Sequence, residues 1–98
     1  MTINESKIDN EDFLKIGKQC IIRTVTMVYV GTIVAHDSST IVLDKCAWIP
    51  STSQWSKFCK GQDPSGMEPY PSLAYIMKGS IVDFSYPETN INIRLIDY

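Results

Sequence analysis

Between Lys18 and Ile49 the chain is written in short runs of β-branched and aliphatic residues broken by polar turns. Cys20-Ile21-Ile22-Arg23-Thr24-Val25-Thr26, Val28-Tyr29-Val30-Gly31-Thr32-Ile33-Val34-Ala35 and Thr40-Ile41-Val42-Leu43-Asp44 read as strands. The first break falls near Thr26 to Val28, and His36-Asp37-Ser38-Ser39 supplies the next turn. Tight connections of this kind predict an antiparallel meander. Along the second strand Val28, Val30, Thr32 and Val34 share one face, and Tyr29, Gly31, Ile33 and Ala35 the other. Both faces are mostly apolar, so both need cover: one as the core, the other by a helix, an N-terminal arm or another subunit. Gly31 in mid-strand signals a bulge or the close approach of another backbone.

Cys46-Ala47-Trp48-Ile49-Pro50 ends the meander, because proline cannot continue a central ladder. Ser51, Thr52 and Ser53 are expected to cap a short helix over 54–60, closed by Gly61. Trp55, Phe58 and Cys59 then form its inward stripe. Glu68-Pro69-Tyr70-Pro71 should be extended. Ala74-Tyr75-Ile76-Met77 and Ser80-Ile81-Val82-Asp83-Phe84 read as strands around Lys78-Gly79. Asn90 to Ile96 reads as a last strand, with Ile91, Ile93 and Leu95 on one side. Residues 1–17 are a polar arm with a helical turn near 11–17, anchored by Phe13, Leu14 and Ile16, and residues 18–98 form a single small β domain. The expected fold is mainly β: a small curled antiparallel sheet, or an SH3-like or OB-like barrel, with one short helix.

The remaining composition narrows the chemistry. Nine basic and 11 acidic residues give a net charge of −2, which argues against a duplex nucleic-acid binder or a polybasic membrane-surface protein. No apolar run approaches the ~18 residues of a spanning helix, and the first residues lack the pattern of a signal peptide. Three cysteines (Cys20, Cys46, Cys59) and one histidine (His36), without a C-x-x-C pair, offer no metal-ligand spacing. The cysteines read as buried, inert thiols of a reducing compartment. His36-Asp37 lies at a turn with no Gly-x-Ser-x-Gly partner, and the five glycines are scattered, so neither a hydrolase nor a phosphate-loop enzyme is indicated. No cofactor is implied.

Candidate binding residues remain. Arg23 is set in an apolar run, where a guanidinium needs a partner. Either it pairs with an acid such as Asp44 or Asp83, or its fork meets a phosphate. Thr24 and Thr26 can add hydroxyls. Trp48 and Tyr70 sit at loop positions, where rings make stacking platforms for bases. Ser51 and Ser53 lie at the start of the short helix, whose N–H groups attract anions.

Five short segments resemble a family of small bacteriophage-encoded proteins: Ile22-Arg23-Thr24-Val25-Thr26, Gly31-Thr32-Ile33, Ala47-Trp48-Ile49, Glu68-Pro69-Tyr70-Pro71 and Gly79-Ser80-Ile81-Val82-Asp83. They span about residues 18–86. Small phage β proteins of this size include the anti-defence sponges of the anti-CBASS and anti-Thoeris type, which hold cyclic dinucleotides or cyclic ADP-ribose species without turnover. That resemblance implies a non-enzymatic, cytoplasmic protein of the infected bacterial host that sequesters a cyclic nucleotide. Strands with two apolar faces in a chain of 98 residues already point to a homo-oligomer, and the resemblance makes it a tetramer by analogy. Arg23 would contact phosphate, Trp48 or Tyr70 would stack a base, and Thr24 and Thr26 would supply hydrogen bonds. A phage protein that blocks a host protein is the alternative, and a small nucleotide-signal hydrolase the third.

Overall fold

The computed structural model describes residues 13–52, 54–64 and 66–93. Among these residues it is mainly β, with six antiparallel strands in one sheet and one short helix. The strands are β1 (Gln19–Thr24), β2 (Val28–His36), β3 (Thr40–Trp48), β4 (Glu68–Pro69), β5 (Ala74–Met77) and β6 (Ile81–Ser85). Helix α1 spans Trp55–Cys59, and a 3-10 turn, Lys78–Ser80, joins β5 to β6. The meander β1-β2-β3 forms where the β-branched runs predict it. β6 adds to the free side of β1, while β4 and β5 both pair with the far side of β3.

That connectivity forces the sheet to curl. Laid flat, β5 and β6 would be four strand spacings apart, roughly 19 Å. The 3-10 turn between them covers only roughly 8 Å at about 2 Å per residue. The two edges must therefore swing toward each other. Yet no pairing joins β5 to β6 among the described residues, so the sheet curls without closing into a barrel.

Gly31 supplies part of the bend. Val30 faces Ala47 and Thr32 faces Asp44, so Lys45 and Cys46 together oppose Gly31 in a β-bulge. A Cβ on Gly31 would stand 2.9 Å from Leu43 Cβ and 3.1 Å from Cys46 Cβ. Both the bulge and the close approach expected at this glycine are present. Lys45 takes a positive φ of 48° to make the turn. The bulge also carries β3 past Asp44, the limit expected from sequence, as far as Trp48.

The two faces of β2 separate as the alternation predicts. Inside the curl, Cys20, Ile22, Ile33, Ile41, Leu43, Cys46, Ala74 and Ile76 pack with Leu14. On the convex face Ile21, Val30, Ala47 and Ile49 pack with Phe58 of α1 and with Ile91. Trp55 and Cys59 flank Phe58 against the same cluster, so the inward stripe of the helix is as predicted.

Three details differ from expectation. Residues 90–93 form no strand; Ile91 is buried and Asn92 exposed, so this segment lies across the convex face as an arm. The rest of the predicted strand, 94–96, lies outside the described residues, as does Arg94. Of the expected helical turn over 11–17, residues 11–12 lie outside the described residues and 13–17 show no helix; among the expected anchors Leu14 is buried while Phe13 and Ile16 are exposed. The N-cap of α1 is Gln54, with no side-chain cap bond, so Ser51 and Thr52 do not cap it, and Ser53 lies outside the described residues. Of the covers expected for the second sheet face, the helix is the one present: Phe58 of α1, together with Ile91, packs on it.

Buried Gln19 explains how the arm is held. Its side-chain amide donates to the Ile91 carbonyl (2.8 Å) and accepts from the Ile91 N–H (2.7 Å). A primary amide reproduces both bonds of a β-bridge, so one side chain substitutes for a missing strand.

Candidate functional site

Alternation along β1 puts Gln19, Ile21 and Arg23 on the convex face, toward α1 and the arm. Arg23 is opposite Asp83 of β6 in register. Its Nε donates to both carboxylate oxygens of Asp83 (2.9 and 2.8 Å), and its Nη2 also bonds Asp83. The guanidinium carbon lies 4.8 Å from the Trp55 ring centroid. Asp83 raises the Arg23 pKa, chiefly by accepting its hydrogen bonds. The same bonds lower the pKa of Asp83. Both side chains remain a little over two-fifths exposed. Of the two acids considered for Arg23, Asp83 is the partner. Asp44 instead accepts from the backbone N–H of Lys45 at 2.8 Å.

Beside this pair is a cleft of about 310 Å³ between the β1–β2 hairpin and the end of β3. Arg23, Thr24, Thr26, Trp48 and Pro50 line it. Four of the residues singled out from sequence therefore meet here. Their roles differ from one another. Thr24 Oγ accepts from the Met27 N–H (3.1 Å), so the hydroxyl stabilises its own hairpin. Thr26 stands exposed at the hairpin tip. Trp48 is half-buried at the end of β3, opposite Tyr29. Ser51 follows Pro50 and its carbonyl accepts from Gly66 (3.3 Å).

Tyr70 does not join this group. Its backbone N–H donates to the Cys46 carbonyl (2.8 Å), and its ring packs 6.3 Å from that of Tyr29, inside the curl. Burial, then the neighbouring Tyr29, pushes its phenol pKa upward. Tyr70 is thus a partly buried group packed against the inner cluster and does not line the Arg23 cleft. Trp55 takes the role that sequence alone missed. Helical spacing identified it as packing, and it does pack, but its ring also carries Arg23. The signal available was its position in the first turn of α1, at the edge of the inward stripe.

Elsewhere, Asp37 is committed to its turn, accepting from the Ser39 and Thr40 N–H groups at 2.8 and 2.9 Å. Those bonds lower its pKa. The Cys20 and Cys46 thiols are buried, which pushes both pKa values up to about 12 and makes them poor nucleophiles at neutral pH. Among the described residues no group of three or more His, Cys, Asp or Glu side chains is placed to hold a metal ion. No helix of the described residues is long and apolar enough to cross a membrane. No protein-family model, curated protein or solved structure matches the chain.

Proposed function

We propose that the chain is a non-enzymatic binder of a small phosphate-bearing nucleotide signal, of the cyclic dinucleotide or cyclic ADP-ribose type. It would act as a phage anti-defence protein in the cytoplasm of the infected bacterium. The observation that carries the reading is the Arg23 group. Asp83 takes the Nε and one Nη2 bond, and Trp55 supports the guanidinium plane. The Nη1 edge is left for a phosphate beside the cleft that Thr26 and Trp48 line. The second arginine restraint lowers the entropy lost when a ligand is gripped.

The volume sets a condition on the ligand. Ligand pockets run from about 300 to 1,000 Å³, and a cleft of about 310 Å³ suits one nucleotide unit. A cyclic dinucleotide would need a second copy to complete its enclosure, which ties this reading to a homo-oligomer. The open edges of β5 and β6 are the places where copies could pair.

A second reading has its own support. Tyr75 and Met77 of β5 are 61% and 53% exposed, and Leu73 follows the same alternation. Such a row of large apolar side chains suits a host-protein partner. One experiment separates the readings. The protein is incubated with cyclic dinucleotides and cyclic ADP-ribose species, separated from free ligand, heat-denatured, and the released small molecules are analysed. Intact ligand from the parent, with at least tenfold weaker retention by Arg23→Ala and partial recovery by Arg23→Lys, is the expected result. Altered ligand means hydrolysis. No retained ligand, or full retention by a folded Arg23→Ala, overturns the proposal.

A further inference from the structure

At the opposite end of β1 from Arg23 a second cleft, of about 420 Å³, lies between the β2–β3 bulge and the 90–93 arm. Its polar lining is Gln19, Thr32, Lys45, Asn90 and Asn92. The geometry points to a distinct binding site here for a small oxyanion, a phosphate or carboxylate group carried by a metabolite. This inference does not depend on the role of Arg23.

Three observations converge. The first is the chemistry of the wall. Among the described residues that line it are one cation, Lys45, and several neutral donor side chains, and no carboxylate. Ammonium, amide and hydroxyl donors together match the lone pairs of an oxyanion.

The second is the backbone at Lys45. Its φ of 48° is left-handed, a region that glycine or asparagine enters at lower cost than lysine. The bulge needs that turn, but the turn does not need a cation. Bulges re-aim side chains, and this one sets a lysine at the mouth of the cleft. Asp44, the neighbouring acid, has its Oδ1 turned back onto the Lys45 N–H at 2.8 Å.

The third is rigidity. Gln19 is 7% exposed and bonds both backbone groups of Ile91, pinning the residue between Asn90 and Asn92. Both asparagines therefore flank a fixed point on the sheet. A wall that is already ordered loses little entropy when it receives a ligand.

The test is a backbone amide titration of the full ¹⁵N-labelled chain with inorganic phosphate, and separately with acetate, at constant ionic strength. Saturable shifts confined to Thr32, Lys45 and residues 90–93 are expected. Shifts with phosphate identify a phosphate site, and shifts with acetate alone identify a carboxylate site. Lys45→Gly should abolish them while leaving Tm unchanged or raised, since glycine takes this φ freely. Lys45→Gln should abolish them without altering the backbone demand, and Arg23→Ala should leave them intact. Non-saturating or scattered shifts, or saturation retained in both Lys45 variants, would overturn the site.

Discussion

Replacing Gln19 removes the side chain that stands in for a strand, and its cost can be worked from the contacts. In Gln19→Leu the volume is nearly kept, but the bonds of 2.8 and 2.7 Å to Ile91 are lost. Each is worth about 0.5–1.5 kcal/mol net, and a buried group left unpaired costs about 1–3 kcal/mol. The arm can partly re-solvate by lifting from the sheet, which caps the loss near 2–4 kcal/mol. With a urea m-value of about 1.5 kcal/mol/M, the midpoint should fall by roughly 1.3–2.7 M. Hydrogen exchange at the Ile91 amide should accelerate more than at the central amides of β2. Gln19→Glu adds a pH signature. Its carboxylate still accepts from the Ile91 N–H but faces the Ile91 carbonyl, and burial raises its folded-state pKa. Protonation restores the missing donor, so the deficit is full above that raised pKa. It shrinks as pH falls toward the unfolded value of about 4.3. A Gln19→Leu protein within about 0.5 kcal/mol of the parent would refute the clamp, since even one lost bond should exceed that.

Gly31→Ala should destabilise by about 1–2 kcal/mol: overpacking of about 1–3 kcal/mol outweighs the entropy gain of alanine over glycine. Urea unfolding checks it, and unchanged stability would mean that Leu43 and Cys46 move aside without cost. Asp83 has its pKa lowered by Arg23, so its contribution to stability is present above the unfolded value of about 3.9 and is lost as pH falls through the folded value. Asp83→Asn should remove that part of the acid sensitivity in melting curves recorded from pH 6 to pH 2. In the native protein iodoacetamide at pH 8 should modify Cys59 well before Cys20 or Cys46, which mass spectrometry reads directly; equal rates would contradict the burial of the latter two.

Local pattern determined the meander, the alternation of β2, the short helix with its Trp55–Phe58–Cys59 stripe, and the special nature of Gly31. Each depends on side-chain periodicity or on the missing Cβ of glycine, which are properties of neighbours in sequence. The position of Arg23 in an apolar run likewise announced that it needed a partner. Which acid it would find was a matter of register: β6 returns beside β1 and sets Asp83 opposite Arg23, while Asp44 accepts from the Lys45 N–H at the bulge. The same long-range geometry separated Tyr70 from Trp48, sending one ring into the curl and leaving the other beside the Arg23 cleft. The described part of the last predicted strand, 90–93, departs from expectation for a related reason. Ile91 and Ile93 carry the period-2 pattern, but among the described residues no strand of the sheet pairs with this segment. The segment instead lies on the convex face, and a glutamine 72 residues away supplies its hydrogen bonds. Alternation reports which side chains seek burial; only the folded sheet decides where the backbone that carries them finds its partners.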